Sequence, residues 1–149
     1  MSTPYSKIIN VFLNKITDYD LPNFEENLRD NIVIGYMKSA CVKFKYNCKI
    51  DLSDRDETLQ VFNNDLDDEI IEILAENMLI EWLKPKLLNT DNFKNALSTK
   101  DFSLFSPANL LDKTNDTMEL ITKNARKLIN NYSFNHANPE DLLKKWFCF

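Results

Sequence analysis

The chain has 149 residues, about the length of one domain, and its 44% hydrophobic and 28% charged residues exclude a disordered protein. A single glycine excludes the glycine-rich loops that bind phosphates, and a single histidine leaves little material for histidine-based catalysis. The net charge of -5 disfavours nucleic-acid binding. We therefore expect a protein that is not an enzyme, holds no cofactor and recognises no specific nucleic acid.

The cysteines form neither a disulfide framework nor a zinc motif. Cys41, Cys48 and Cys148 are odd in number, and the seven-residue gap between the first two matches no zinc spacing. This usage indicates a reducing compartment. The first sixteen residues lack the apolar run of a signal peptide, and no run approaches about eighteen apolar residues. We expect no membrane-spanning segment.

Two helices are predicted in the first third of the chain. Thr3 and Pro4 form an N-cap and first-turn pair, and the apolar spacing after them predicts a helix over about residues 4 to 17. Gly35 lies inside the second helix at a cost of about 1 kcal/mol relative to Ala, which predicts close packing against a neighbour. The core face of that helix is Leu28, Ile32, Tyr36, Ala40, Cys41 and Phe44.

Residues 42 to 50 fit two structures. Apolar and polar residues alternate strictly from Val42 to Ile50, which is a strand pattern. The same residues continue the helical face through Phe44 and Cys48, and a lone strand could not satisfy its backbone hydrogen bonds. Helix is the favoured interpretation, and strand is the alternative.

The clearest helix follows an acidic stretch. Asp65 or Asp67 can cap it, and Pro85 is expected to end or kink it near Lys84. A short helix over residues 91 to 97 would follow. The predicted core face of the clear helix is Ile70, Ile73, Leu74, Met78 and Trp82.

The longest periodic stretch opens at Ser106 and Pro107 and predicts a helix of about 25 residues. Asn138 and Pro139 repeat the capping signal before a final segment. The fold class is therefore all-α: a helical bundle (1–133) with a long C-terminal helix and an extended C-terminal arm (134–149). The heptad-spaced seam comprises Leu111, Thr114, Met118, Ile121, Ala125, Leu128 and Tyr132.

Charge is concentrated between residues 51 and 76, which we call the acidic segment. It holds ten acids and one base, a net of -9 against +4 elsewhere. Unlike faces of such a molecule could dock head to tail, with Asp67, Asp68 and Glu72 as candidate interface residues. The other interpretation is a solvated helix face beside a polar loop.

Metal and acid–base chemistry fit the acidic residues poorly. The run Asp51 to Glu57 lacks the glycine and the closing glutamate of a calcium loop, so capping and solvation are expected there rather than a metal. Glu72 and Glu76 lie one helical turn apart, but no histidine accompanies them as a di-metal bundle requires. Surface placement is expected for both.

The end of the sequence is unusually aromatic. Trp146, Phe147 and Phe149 follow Lys144 and Lys145, and such residues are rarely left exposed at a terminus. This segment either folds back onto the bundle or inserts into a partner as an aromatic anchor.

Several strings resemble small neck proteins of tailed bacteriophages, the head-to-tail connector or adaptor family. The resemblance covers about residues 5 to 133 and carries no catalytic signature. The strings are Asp51-Leu52-Ser53-Asp54-Arg55-Asp56, Phe62-Asn63-Asn64-Asp65-Leu66, Glu72-Ile73-Leu74, Met78, Glu81-Trp82-Leu83-Lys84-Pro85, Lys100-Asp101-Phe102 and Ser106.

The resemblance implies a helical subunit of the virion neck, assembled in the host cytoplasm as a ring of usually twelve copies. Such adaptors join the portal protein, often through a C-terminal arm, and give the tail or the next neck protein its docking surface. The alternative is a small helical regulatory protein that buries its aromatic tail in a host partner. Ring formation with a portal would favour the first, and a monomer bound to one host protein the second.

Overall fold

The computed structural model describes residues 1–16, 25–97, 107–140 and 143. The aromatic tail, with Trp146, Phe147, Phe149, Lys144 and Lys145, lies outside the described residues. So do Cys148, Ser106 and the string Lys100-Asp101-Phe102.

The described chain is mainly four helices, which confirms the all-α prediction. They are α1 (Tyr5–Lys15), α2 (Glu26–Phe44), α3 (Asp68–Leu97) and α4 (Pro107–His136). The first three residues assigned to the arm, 134 to 136, belong to the last turn of α4. Helices α1, α2 and α4 each pack against α3, which is therefore the centre of the bundle.

A small antiparallel sheet, which the sequence did not predict, ties the N-terminus to the loop before α3. Its strands are β1 (Thr3–Pro4), β2 (Arg55–Asp56) and β3 (Val61–Phe62), in the order β1-β3-β2. Thr3 pairs with Phe62, and Pro4 with Val61. Strands of two residues are too short to produce an alternating pattern, so only the pairing reveals them.

Thr3 is not the predicted N-cap of α1. The helix begins at Tyr5 after Pro4, and no side chain caps it. Thr3 is buried and its Oγ1 donates to the carbonyl oxygen of Asn64 at 3.2 Å while accepting from the amide of Leu66 at 2.8 Å. The side chain is thus used for a tertiary contact across the chain.

Residues 42 to 50 resolve into a helix end and a turn. Helix α2 runs to Phe44, and the amides of Asn47 and Cys48 then donate to the carbonyl oxygen of Phe44 at 3.0 Å each. The strand alternative is wrong, and the favoured helix is right only through Phe44. The turn lets Phe44 stay buried while Tyr46 points outward.

Gly35 does not pack closely against a neighbour within the chain. The residue is exposed, and a Cβ added there would meet no atom within 4 Å. That prediction is wrong for the folded chain, and the glycine has no intramolecular explanation.

Of the two predicted caps, Asp65 and Asp67, the structure uses Asp67: its Oδ1 accepts from the amide of Ile70 at 2.9 Å. The predicted end near Lys84 and the separate helix over residues 91 to 97 are wrong, because α3 is one helix of 30 residues with Pro85 inside it. Pro85 is exposed. The carbonyl that Pro85 leaves without a helical donor can therefore be hydrated.

The core lies around α3. Ile70, Ile73, Leu74 and Met78 are buried as predicted, whereas Trp82 is half-buried against the core. Tyr132 of α4 meets Phe44 of α2 edge to face, with ring centroids 5.2 Å apart. The loop between α2 and α3 contributes three further buried side chains, Leu52, Phe62 and Leu66.

Candidate functional site

The carboxylates of the acidic loop shape its turns. Asp51 Oδ1 accepts from the amide of Ser53 at 2.9 Å, and Asp54 Oδ1 accepts from the side-chain amide of Asn63 at 2.6 Å. Asp56 Oδ1 accepts from the amides of the second and third residues after it, at 2.8 and 2.9 Å. These bonds use the carboxylates structurally but leave their charge in place.

No metal site is formed there. Among the described residues, no group of three or more His, Cys, Asp or Glu side chains is arranged to hold a metal ion. Asp51 and Asp56 each bond backbone amides of their own turn, which is the chemistry of Asx turns.

Lysines of α1 meet the carboxylates of α3. Lys15 bonds both Glu72 and Glu76, the latter with Nζ to Oε1 at 2.8 Å, and Lys7 lies 3.4 Å from Asp68. Burial alone would lower the pKa of Lys15, but its hydrogen bonds to the two glutamates outweigh burial and raise that pKa above 10.5. Glu72 and Glu76 are half-buried rather than fully on the surface.

Lys38 of α2 forms an ion pair with Glu57, which lies in the turn between β2 and β3. Its Nζ donates to Glu57 Oε2 at 2.7 Å. The hydrogen bond to Lys38 lowers the pKa of the Glu57 carboxyl. Three lysines from α1 and α2 thus offset part of the acidic segment from within the subunit.

A cavity of about 380 Å³ lies where α2, α3 and α4 meet. Lys43, Lys84 and Arg126 line it together with apolar side chains. Lys43 and Lys84 both bond Glu81, and these bonds outweigh burial and lower the pKa of the Glu81 carboxyl. Two of the three cations are therefore already paired.

His136 lies at the end of α4, where its contacts are structural. Its Nε2 is 3.3 Å from Glu69 Oε2, and its ring centroid is 4.3 Å from that of Tyr132. Burial raises the pKa of the nearby Cys48 thiol and raises that of Cys41 to about 11. Both thiols are therefore protonated at neutral pH, the state in which a cysteine is a poor nucleophile.

The second half of α4 carries a group of cations that we call the basic stripe: Lys123, Arg126 and Lys127. All three are exposed. Lys123 and Lys127 lie on the side of α4 away from buried Ala125 and Tyr132, and Arg126 lies at the edge of that side, where it lines the cavity beside α2 and α3. None makes an ion pair with any described part of the chain. The stripe therefore has no internal counter-charge within the part of the chain that the structure describes.

The structure gives the three acidic residues of the predicted interface different contacts within the subunit. Asp67 is used as a helix cap, Asp68 faces Lys7, and Glu72 is held by Lys15. The basic stripe was absent from the predicted interface set. Its signal was present, since the heptad-spaced seam of α4 leaves these cations on the opposite side of the helix.

Among the described residues, no helix combines the length and the apolar character needed to cross a membrane. Comparison of the chain with known protein families, with characterised proteins and with solved structures gives no match.

Proposed function

We propose that this chain is a structural virion protein of the phage neck, a subunit of a ring that joins the portal to the tail or to the next neck component. The resemblance of its sequence to head-to-tail connectors supports this function, and the helical fold has the architecture expected of such a subunit. In this proposal the protein assembles in the host cytoplasm and resides at the head–tail interface of the virion.

The observation that supports a ring is that two different elements present charged side chains with no ion-pair partner among the described residues. After internal pairing, the loop still presents Asp51, Asp54, Asp56 and Asp65 without a lysine partner among the described residues, while α4 presents the basic stripe. A ring is closed by contacts between unlike faces of successive subunits. An acidic loop against a neighbour's basic stripe is such a contact.

This assignment refines the candidate interface. Lys15 lies against Glu72, so Glu72 has little charge to offer a neighbour. Asp67 and Asp68 begin α3 at the end of the loop, where Asp68 remains almost fully exposed at 96% of its side chain. The acidic docking face in the proposal is therefore the loop with the first turn of α3.

The test is mass measurement and electron microscopy of the full chain, alone and mixed with the portal protein encoded in the same genome. We expect discrete rings, and we expect the double variant K123E/K127E to abolish them without changing the unfolding temperature. Lys113→Glu, an exposed lysine in the first half of α4, is the matched control. A chain that stays monomeric with the portal and instead captures one host protein would establish the regulatory alternative.

The aromatic tail provides a second readout of the same proposal. Replacing Trp146 and Phe147 with Ala in the full chain should weaken joining to the portal and leave the free energy of unfolding unchanged. A large loss of stability would instead place these residues in the core of the subunit.

A further inference from the structure

Helix α2 has an uncharged stripe, with an apolar residue near each end, on the side opposite its core contacts. We call it the outer face of α2: Leu28, Asn31, Gly35, Ser39 and Val42. Leu28 is 49% exposed, so its predicted place on the core face of α2 is wrong, and Val42 is 61% exposed. The first, third and last of these residues are seven apart, the repeat that keeps one stripe facing a partner helix.

Gly35, at the middle of this face, has no steric or conformational reason to be glycine within the subunit. Its φ is not positive, so the backbone does not require glycine, and an added Cβ would meet nothing within 4 Å. Glycine in a helix interior weakens the helix. Its steric advantage is that the backbone of a second helix can approach closely at that point.

The two ends of α2 carry opposite charge. Glu25 precedes the helix and Lys45 follows it, each ten residues from Gly35. Both are exposed, and neither forms an ion pair with the described residues. A second α2 laid antiparallel would bring each acidic end beside a basic end and would oppose the helix dipoles favourably.

We propose that two copies of this chain pair through the outer faces of α2, antiparallel and crossing at Gly35. Leu28 and Val42 each lie seven residues from the crossing, on opposite sides, so Leu28 of one copy packs against Val42 of the other at both ends. A single surface thereby supplies the apolar contact, the close crossing and the complementary charge. That self-complementarity identifies the occupant as a second copy.

The pairing is independent of the proposed ring. A two-fold contact closes at two copies, whereas a ring needs contacts between unlike faces. A single pair of helices buries less surface than a stable dimer interface of about 1,200 to 2,000 Å², so the expected dissociation constant is micromolar. The pair can form in the purified chain without any portal.

The principal test is sedimentation equilibrium of the full chain at low salt, paired with thermal unfolding. In Gly35→Leu we expect the association constant to fall at least about tenfold. The unfolding temperature of the subunit should stay the same or rise, because Leu favours helix and has room. A Gly35→Leu chain that associates as well as wild type, or a wild type that stays monomeric up to about 500 μM, well above a micromolar dissociation constant, would overturn the pairing.

Two further variants distinguish this contact from non-specific association. Leu28→Lys should also lower association about tenfold, whereas Leu120→Lys, at an exposed leucine of α4, should not. Equal loss in both would refute the assigned face.

A charge swap tests the antiparallel direction. Glu25→Lys and Lys45→Glu should each weaken association at low salt by about threefold to tenfold, and the chain carrying both should recover it. Failure of the double variant to recover would exclude the antiparallel arrangement.

Discussion

The acidic segment and the basic stripe of α4 are both dense in charge, but the fold uses them in opposite ways. Carboxylates of residues 51 to 76 accept hydrogen bonds from turn amides, cap α3 and bond lysines of α1 and α2. The cations of the stripe touch no acid among the described residues. The first region is integrated into the structure, whereas the second makes no ion pair within the part of the chain that the structure describes.

Local backbone explains the difference. A loop and the first turn of a helix expose amide groups that have no helical acceptor, and carboxylates bind them readily. The middle of α4 has no free amides, because every one already donates along the helix. Charged side chains in a helix interior therefore have fewer backbone partners than those in a loop or at a helix start.

The largest contrast is expected between two leucines. Leu66 is 2% exposed in the acidic segment, and Leu120 is 59% exposed on α4 beside the stripe. Leu66→Ala should lower the free energy of unfolding by about 2 to 5 kcal/mol, because it leaves a cavity in the core. Leu120→Ala should change it by less than about 0.5 kcal/mol. Urea unfolding followed by circular dichroism measures both, and equal effects would contradict the distinction.

The next contrast uses two threonines. Thr3→Val removes the hydroxyl that bonds both Asn64 and Leu66 and leaves a buried amide unsatisfied. We expect a loss of about 1 to 3 kcal/mol. Thr117→Val on α4 removes only an exposed bond to the carbonyl of Lys113, so its effect should stay within about 0.5 kcal/mol. The same unfolding assay decides, and a neutral Thr3→Val would show that the sheet does not anchor the N-terminus.

Substitution of one lysine in each region tests how much its charge contributes to stability. Lys15→Met leaves Glu72 and Glu76 half-buried without their cation, and we expect a loss of about 1 to 2 kcal/mol, between the values for exposed and buried pairs. Lys127→Met, in the stripe, should change stability by less than about 0.5 kcal/mol. If the two variants unfold alike, the ion pairs of Lys15 contribute nothing measurable to the packing of α1 on α3.

The smallest effect concerns pH. The folded-state pKa of Lys15 is raised above 10.5, so its stabilising contribution is complete below pH 10.5 and is lost as the pH rises through the folded pKa. The stability difference between wild type and Lys15→Met should therefore be constant well below pH 10.5 and shrink as the pH rises above 10.5. Unfolding free energies across this range provide the check, and a constant difference would argue against the pairing.

The proposed functions rest on the same contrast. Neutral replacements in the basic stripe should abolish assembly and leave the stability of the subunit unchanged. Neutral replacements in the acidic loop should lower the stability of the subunit as well. The outer face of α2 extends the argument to apolar residues, because Leu28 and Val42 lie outside the core that α2 builds with Met37 and Phe44.

The sequence alone determined the helical class and the starts of α3 and α4, because apolar spacing and capping residues act locally. The seam of α4 and the cap at Asp67 were read from residue order, and both are present. The close packing predicted at Gly35 was wrong within the subunit, because an added Cβ there would meet no atom within 4 Å.

Tertiary structure alone decided the rest. Thr3 became part of a sheet because Phe62, far along the chain, pairs with it, and α3 continued through Pro85 because that residue faces solvent. Whether a charged side chain is free or occupied depends on neighbours distant in sequence, as with Lys15 and Glu76. Local patterns fix the elements, whereas the packing of those elements decides which charges remain for partners.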